Sequence, residues 1–276
     1  KDGFVVLENA LTHSQLSALN SDLSMWVEES RRNEKSYGKI MDGRPRFDLQ
    51  LDTHSFEKPA LRRVTSPAEI SKACLDVVKD NKALDQYIYL VAGCVGEFWT
   101  SIISRHTPML NQWNLKKMGN RGVHFGKALQ LTNVLRDIPS DLRSGRCYLP
   151  KDDLINIGIS PSDLLDHKLS HKARPIFHKW INRALDHYAV AGTYLVDIPR
   201  RTWRLRMGTM WPVLFGLLTL EQLALNEVWL DPSSRVKISR LTIYKVISLS
   251  LLLVVSNTLL NAWIHKLQRR IRNILA

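Results

Sequence analysis

Cysteine is scarce. Cys74, Cys94 and Cys147 are odd in number and far apart, which gives neither a disulfide framework nor a zinc site and favours a reducing compartment. The chain starts at Lys1-Asp2 and shows no charged n-region followed by an apolar h-region, so no secretory segment and a cytoplasmic setting are expected. Internal repeats and low-complexity tracts are absent. So are DNA- or RNA-reading motifs and the aromatic–basic interleaving of single-strand platforms, and nucleic acid is not an expected partner despite a net charge of +13. Acidic residues are short in one part only: residues 1–86 hold 13 Lys+Arg and 14 Asp+Glu, residues 87–276 hold 26 and 12. A basic second part suits anionic lipid or a diphosphate. Long charge-free runs are nearly lacking too. Val246–Ile264 has 19 uncharged residues, the lower range for a membrane span. Six of them are Ser, Asn or Thr, so the expectation is a buried bundle helix, followed by a basic tail, Lys266–Arg272, able to touch anionic lipid at the cytoplasmic membrane face.

What is present is concentrated in Gln130–Pro150, QLTNVLRDIPSDLRSGRCYLP. Read as a helix, Gln130, Asn133, Asp137 and Asp141 fall in one stripe. Two carboxylates one turn apart repel each other by a few tenths of a kcal/mol (roughly) in water. A divalent cation between them reverses that sign, and Mg²⁺ takes its remaining ligands from water and substrate phosphates. The alternative is a solvated helix face. Against it stand the upstream carboxamides, the apolar remainder of the helix, and Arg136, Arg143 and Arg146, which suit phosphate. Pro139, between the aspartates, removes one backbone donor and is expected to kink the helix near Leu135.

The string QxxN–RDxxxD–GR–YLP, carried here by Gln130, Asn133, Arg136, Asp137, Asp141, Gly145, Arg146, Tyr148, Leu149 and Pro150, resembles the second aspartate-rich motif of the squalene/phytoene synthase family. Upstream, Tyr87-Ile-Tyr-Leu-Val-Ala-Gly-Cys-Val-Gly resembles the family's tyrosine motif. That stretch is expected to open a long helix to about His106, with Tyr87, Val91, Cys94 and Phe98 on one face. Gly93 and Gly96 fit either tight helix packing or a groove for a prenyl chain.

The resemblance implies an all-α isoprenoid-synthase bundle that condenses two farnesyl diphosphates head to head with Mg²⁺. Asp137 and Asp141 would hold metal. Gln130, Asn133, Arg136 and Arg146 would bind substrate, Tyr87 would manage the carbocation, and Val91, Cys94 and Phe98 would line the pocket. Nothing in the residues bears on a following NADPH-dependent reduction. The family's first aspartate-rich motif, normally upstream of the tyrosine motif, finds no counterpart in residues 1–86.

That first part reads differently. Phe4–Leu7 suggests a short strand, and Thr12 caps a helix with Leu16, Leu19, Leu23 and Trp26 on its apolar face, ending near Arg31-Arg32. Residues 33–67 look loop-rich, with one strand at Phe47–Leu51. A helix capped by Ser66 should run from Pro67 to about Asp85. The strings KDGFVVLENALTHSQLSAL, GRPRFDLQLDTH and PALRRVTSPAEIS resemble the N-terminal region of phytanoyl-CoA dioxygenase-type proteins, which are iron- and 2-oxoglutarate-dependent. That chemistry needs an H-x-D pair and a distal His, whereas His13 and His54 begin no such pair. Asp48/Asp52 and Asp76/Asp80 repeat the DxxxD spacing without the flanking basic residues.

The sequence therefore predicts a mainly α protein: residues 87–276 as an incomplete isoprenoid-synthase-type bundle, preceded by a small α+β segment, 1–86. The expected function is a squalene synthase-type prenyl transferase impaired by its missing motif. The alternatives are an inactive fusion that binds prenyl diphosphate or membrane, and a dioxygenase fragment.

Overall fold

The computed structural model describes residues 13–41, 44–65, 67, 70–74 and 81–276. The expected strand Phe4–Leu7, the Thr12 and Ser66 caps, and Asp76/Asp80 lie outside them. The chain is mainly α and divides into two compact units, 1–84 with 140–152, and 85–139 with 153–276.

In the first unit, helix α1 (His13–Ser30) meets expectation in its extent but not in its buried face. Trp26 is buried against Phe47 of the sheet, whereas Leu16 and Leu23 are about half exposed. Residues 33–67 keep their loop at 50–60, but hold three strands where one was expected: β1 (Tyr37–Met41), β2 (Arg44–Leu49, overlapping the expected strand) and β3 (Leu61–Val64) form an antiparallel meander. Phe47 seeds its small core, stacked on Tyr37 at 4.7 Å and edge-on to Trp26 at 6.4 Å. Gly38 has φ +89° beside the β1 bulge, where a Cβ would press on the Phe47 ring. Asp48 faces Arg63 across the β2–β3 pair, N–O 2.9 Å, so its carboxylate is a cross-strand partner. His54 is similarly committed: Nε2 donates to the Asn33 carbonyl (2.9 Å) and Nδ1 accepts from the Ala60 amide (2.8 Å).

In the second unit, α2 (Asn81–Ile88) continues through a five-residue π-helical turn, Tyr89–Gly93, into α3 (Cys94–His106). Then come α4 (Leu115–Arg143), the short α5 (Lys151–Ile155), α6 (Ser170–Asp197), α7 (Trp203–Leu225), α8 (Arg240–Leu253) and α9 (Asn257–Leu275). Helix α4 stays helical through Pro139, so the proline removes one bond without ending the helix.

The core lies where α6 and α7 meet α9. Trp180, Ala184, Tyr188 and Ala191 of α6 are all buried. The charge-free run Val246–Ile264 is two helices, not one. Ser256 breaks it, capping α9 by accepting from the Leu259 amide, which removes the candidate span. By length and composition alone, 84–106 and 203–225 are long and apolar enough to cross a membrane; the second lies among α6, α8 and α9.

Helix α7 starts at Trp203, within the arginine-rich run Arg200–Arg206. Arg206 is fully buried, donating to the Ile198 carbonyl (2.7 Å) and to Asn257 Oδ1 (2.5 Å). Its charge thus sits at the negative end of α6 and joins three helices. Two cations of the basic tail are also spent within the chain: Arg270 pairs with Glu221 of α7 (2.8 Å) and Arg272 with Asp186 of α6 (3.3 Å).

Glycines set the closest helix contact. A Cβ on Gly96 would lie 1.9 Å from the Gly122 carbonyl oxygen, and one on Gly126 2.0 Å from that of Ala92. Helices α3 and α4 therefore run antiparallel with backbones in contact. Gly96→Ala should destabilise the protein by about 1–3 kcal/mol, because backbone rather than a movable side chain must give way. Urea unfolding at neutral pH checks this; a loss under about 0.5 kcal/mol would show the helices free to part.

Candidate active site

The contact of α3 with α4 leaves a trough beside it. Val91, Val95 and Trp99, one turn apart, form one wall. Phe125, Leu129, Gln130 and Asn133 of α4 form the floor, and Leu205, Gly208 and Pro212 of α7 the opposite wall. The cavity holds about 640 Å³, within the usual range for a small-molecule site of roughly 300–1,000 Å³. Its lining is mostly apolar, with polar groups at Gln130, Asn133, Thr209 and Arg204.

Of the residues expected to line the pocket, Val91 does so. Cys94 and Phe98 are not in the lining: the Cys94 thiol donates to the Leu90 carbonyl, 3.0 Å, and Phe98 is largely exposed. The reason is the π-helical turn. It uses i→i+5 bonds, so residues before and after it do not share the face that α-periodicity assigns to Tyr87, Val91, Cys94 and Phe98. Tyr87 is half-buried, one turn before Val91 and outside the lining. Gly93 and Gly96 serve helix packing, and Gly96 also lines the trough.

Gln130 and Asn133 face the trough, and Asp137 follows one turn later on the same helix. Arg136 grips the Asp137 carboxylate at two points, Nε–Oδ1 3.0 Å and Nη2–Oδ2 2.8 Å. That bond holds the Arg136 guanidinium above its ordinary pKa. Asp141 is met by Arg146 at 3.4 Å. The local fold makes that pair: Gly145 has φ +73°, its amide donates to Leu142, and the Arg146 amide donates back to Asp141. This is a Schellman stop, and it turns Arg146 toward the carboxylate five residues earlier. Among the described residues, no group of three or more His, Cys, Asp or Glu side chains converges as a metal site.

A polar cluster escaped the sequence reading. The Lys127 ammonium pairs with Asp85 Oδ2 at 2.6 Å. The other Asp85 oxygen lies 3.6 Å from Arg183 and 3.8 Å from His187 Nε2. The buried His187 is 3.0 Å from His124, Nδ1 to Nδ1. The only signals available were the spacings His124/Lys127 and Arg183/His187, each fit to place both members on one helix face; their pairing across α2, α4 and α6 was not visible. Burial, then the charges of Arg183 and Lys127 beside the neighbouring ring, push His187 down to about 4, and burial lowers His124 as well.

A family model for squalene/phytoene synthase matches residues 22–242. The chain belongs to the squalene/phytoene synthase family. The match takes in most of residues 1–86 and runs across 86/87. The chain is 32% identical over 142 residues to a chloroplastic phytoene synthase of an Oncidium hybrid cultivar, covering 51% of this chain and 32% of that protein. It is 33% identical over 150 residues to phytoene synthase of Arthrospira platensis, covering 52% and 46%. An Arabidopsis thaliana chloroplastic phytoene synthase is 30% identical over 142 residues, covering 51% and 31%. The matched stretch thus spans a third to a half of these relatives. The squalene/phytoene synthase family acts on prenyl diphosphates and generally uses a divalent metal.

The cluster predicts acid sensitivity. An unfolded chain protonates His187 near its ordinary 6.5, the folded one only near 4. Stability from this group is therefore complete above about pH 6.5 and falls as pH drops toward 4, by up to about 3 kcal/mol. Asp85 favours the proton, while Lys127, Arg183 and His124 oppose it. Urea unfolding at pH 7.5 and 5 should show the loss in the natural protein and a smaller one in His187→Gln; equal losses would remove His187 as the cause.

Proposed function

We propose that this chain is a Mg²⁺-dependent head-to-head prenyl transferase of the squalene synthase type, condensing two farnesyl diphosphates. The observation that supports this best is the apolar trough whose floor carries Gln130 and Asn133, with Asp137 one turn further along α4. An apolar chain fits the trough, and its charged head is drawn to the carboxamide end.

The donor set fits a metal brought in by a diphosphate better than a free ion. Mg²⁺ typically takes one or two carboxylates and fills its shell with phosphate and water, and the two aspartates are already neutralised by Arg136 and Arg146. Asp137 and Asp141 would hold it, and when bound it supplies the charge that lets diphosphate depart. Gln130 and Asn133 orient the phosphate or its waters. Arg136 and Arg146, exchanging carboxylate for phosphate, neutralise the leaving group. Tyr87, one turn before Val91, would act on the cation only from the edge of the trough. The Val91–Trp99 wall keeps water from the allylic cation.

A second reading is binding of prenyl diphosphate without turnover, in keeping with both aspartates being already paired with arginine. A dioxygenase role gains no support from His54, whose ring nitrogens both serve backbone groups. Incubation with farnesyl diphosphate and Mg²⁺ should release diphosphate, and Asp137→Asn should slow release by about a hundredfold or more. Binding by calorimetry without release would establish the second reading; no binding at all would dismiss both.

A further inference from the structure

The trough carries three glycines, Gly96, Gly126 and Gly208. Two are explained by the helix contact, since a Cβ on either would strike a backbone carbonyl. Gly208 has no such reason. It lies inside the 23-residue helix α7, where glycine is less favourable than alanine, and a Cβ there would meet nothing within 4 Å. No protein neighbour requires its bare backbone, and the open space is the trough.

Its level along the trough follows from three contacts. The Tyr188 hydroxyl sits against Gly216, 1.8 Å from where a Cβ would be, and bonds Thr132 at 3.0 Å. Gly216 of α7 and Thr132 of α4 are thus level. At the far end of α6, Arg206 reaches Ile198 and Arg121 pairs with Asp197. Both α4 and α7 therefore run antiparallel to α6 and parallel to each other. Gly208, eight residues before Gly216, is level with residues eight before Thr132, about 12 Å from the Asn133 end.

We propose that Gly208 sets the length of prenyl chain the trough accepts, by keeping the trough open about 12 Å from its Asn133 end. This rests on the reading of the trough as a prenyl diphosphate site. A chain with its head at Gln130 and Asn133 runs toward Gly208, and longer chains need the space that any side chain there would fill. Gly208 thus acts on chain length and not on the head group.

The full chain is titrated with geranyl, farnesyl and geranylgeranyl thiolodiphosphates in the presence of Mg²⁺, following the heat of binding. Gly208→Ala serves as a folding control and should raise the melting temperature, since the added methyl improves helix propensity without a clash. Gly208→Leu should weaken the geranylgeranyl analogue about tenfold or more relative to the geranyl one. An equal effect on all three lengths, or none, overturns the role of Gly208 while leaving the site intact. If the natural chain binds no analogue of any length, the reading of the trough falls and the proposal with it.

Discussion

The close approach of α3 to α4 governs the second unit. With Gly96 against Gly122 and Gly126 against Ala92, two backbones meet where most helices are held apart by side chains. That contact fixes the rotation of both helices. Val91, Val95 and Trp99 then fall on one side of the seam beside Phe125 and Leu129, and the trough is the space left when α7 closes over them. The carboxamides are delivered to the trough by the same rotation, because α4 is continuous from Gly122 to Asp137.

The polar interior follows a consistent rule. Buried charges here are not isolated. Lys127 has Asp85, Glu221 has Arg270, and Asp153 has Lys179 and the Trp180 indole. Arg206 is served by a carbonyl at a helix end and by Asn257. Each of these joins elements distant in sequence. They cost desolvation but penalise any other arrangement of the helices.

Helix α1 was legible from its cap signal and apolar spacing, and its ends fall within a residue or two of expectation. Family membership was legible from the spacing of Gln130 to Pro150. Three features were not. The meander at residues 37–64 lacks clean alternation, since its bulges and the Asp48–Arg63 pair interrupt the period of two. The Ser256 break was hidden inside an uncharged run whose hydropathy gives no sign of a cap. The face of α3 was misassigned because periodicity arguments assume an uninterrupted α-helix. The cluster of Asp85, His124, Lys127, Arg183 and His187 is a tertiary fact that no single segment contains.

The π-helical turn at Tyr89–Gly93 has one more consequence. Such a turn holds one residue more than the α-helix needs, so everything before it is rotated by about 100° relative to everything after it. Loss of a single residue within it would leave the helix intact and the hydrogen-bond ladder more regular. It would also turn Tyr87 and Asp85 to a different bearing from Val95 and Trp99, separating the polar cluster from the trough in phase. In this helix the reading frame of side chains is set by a defect in the ladder, and length is as much a part of the motif as residue identity.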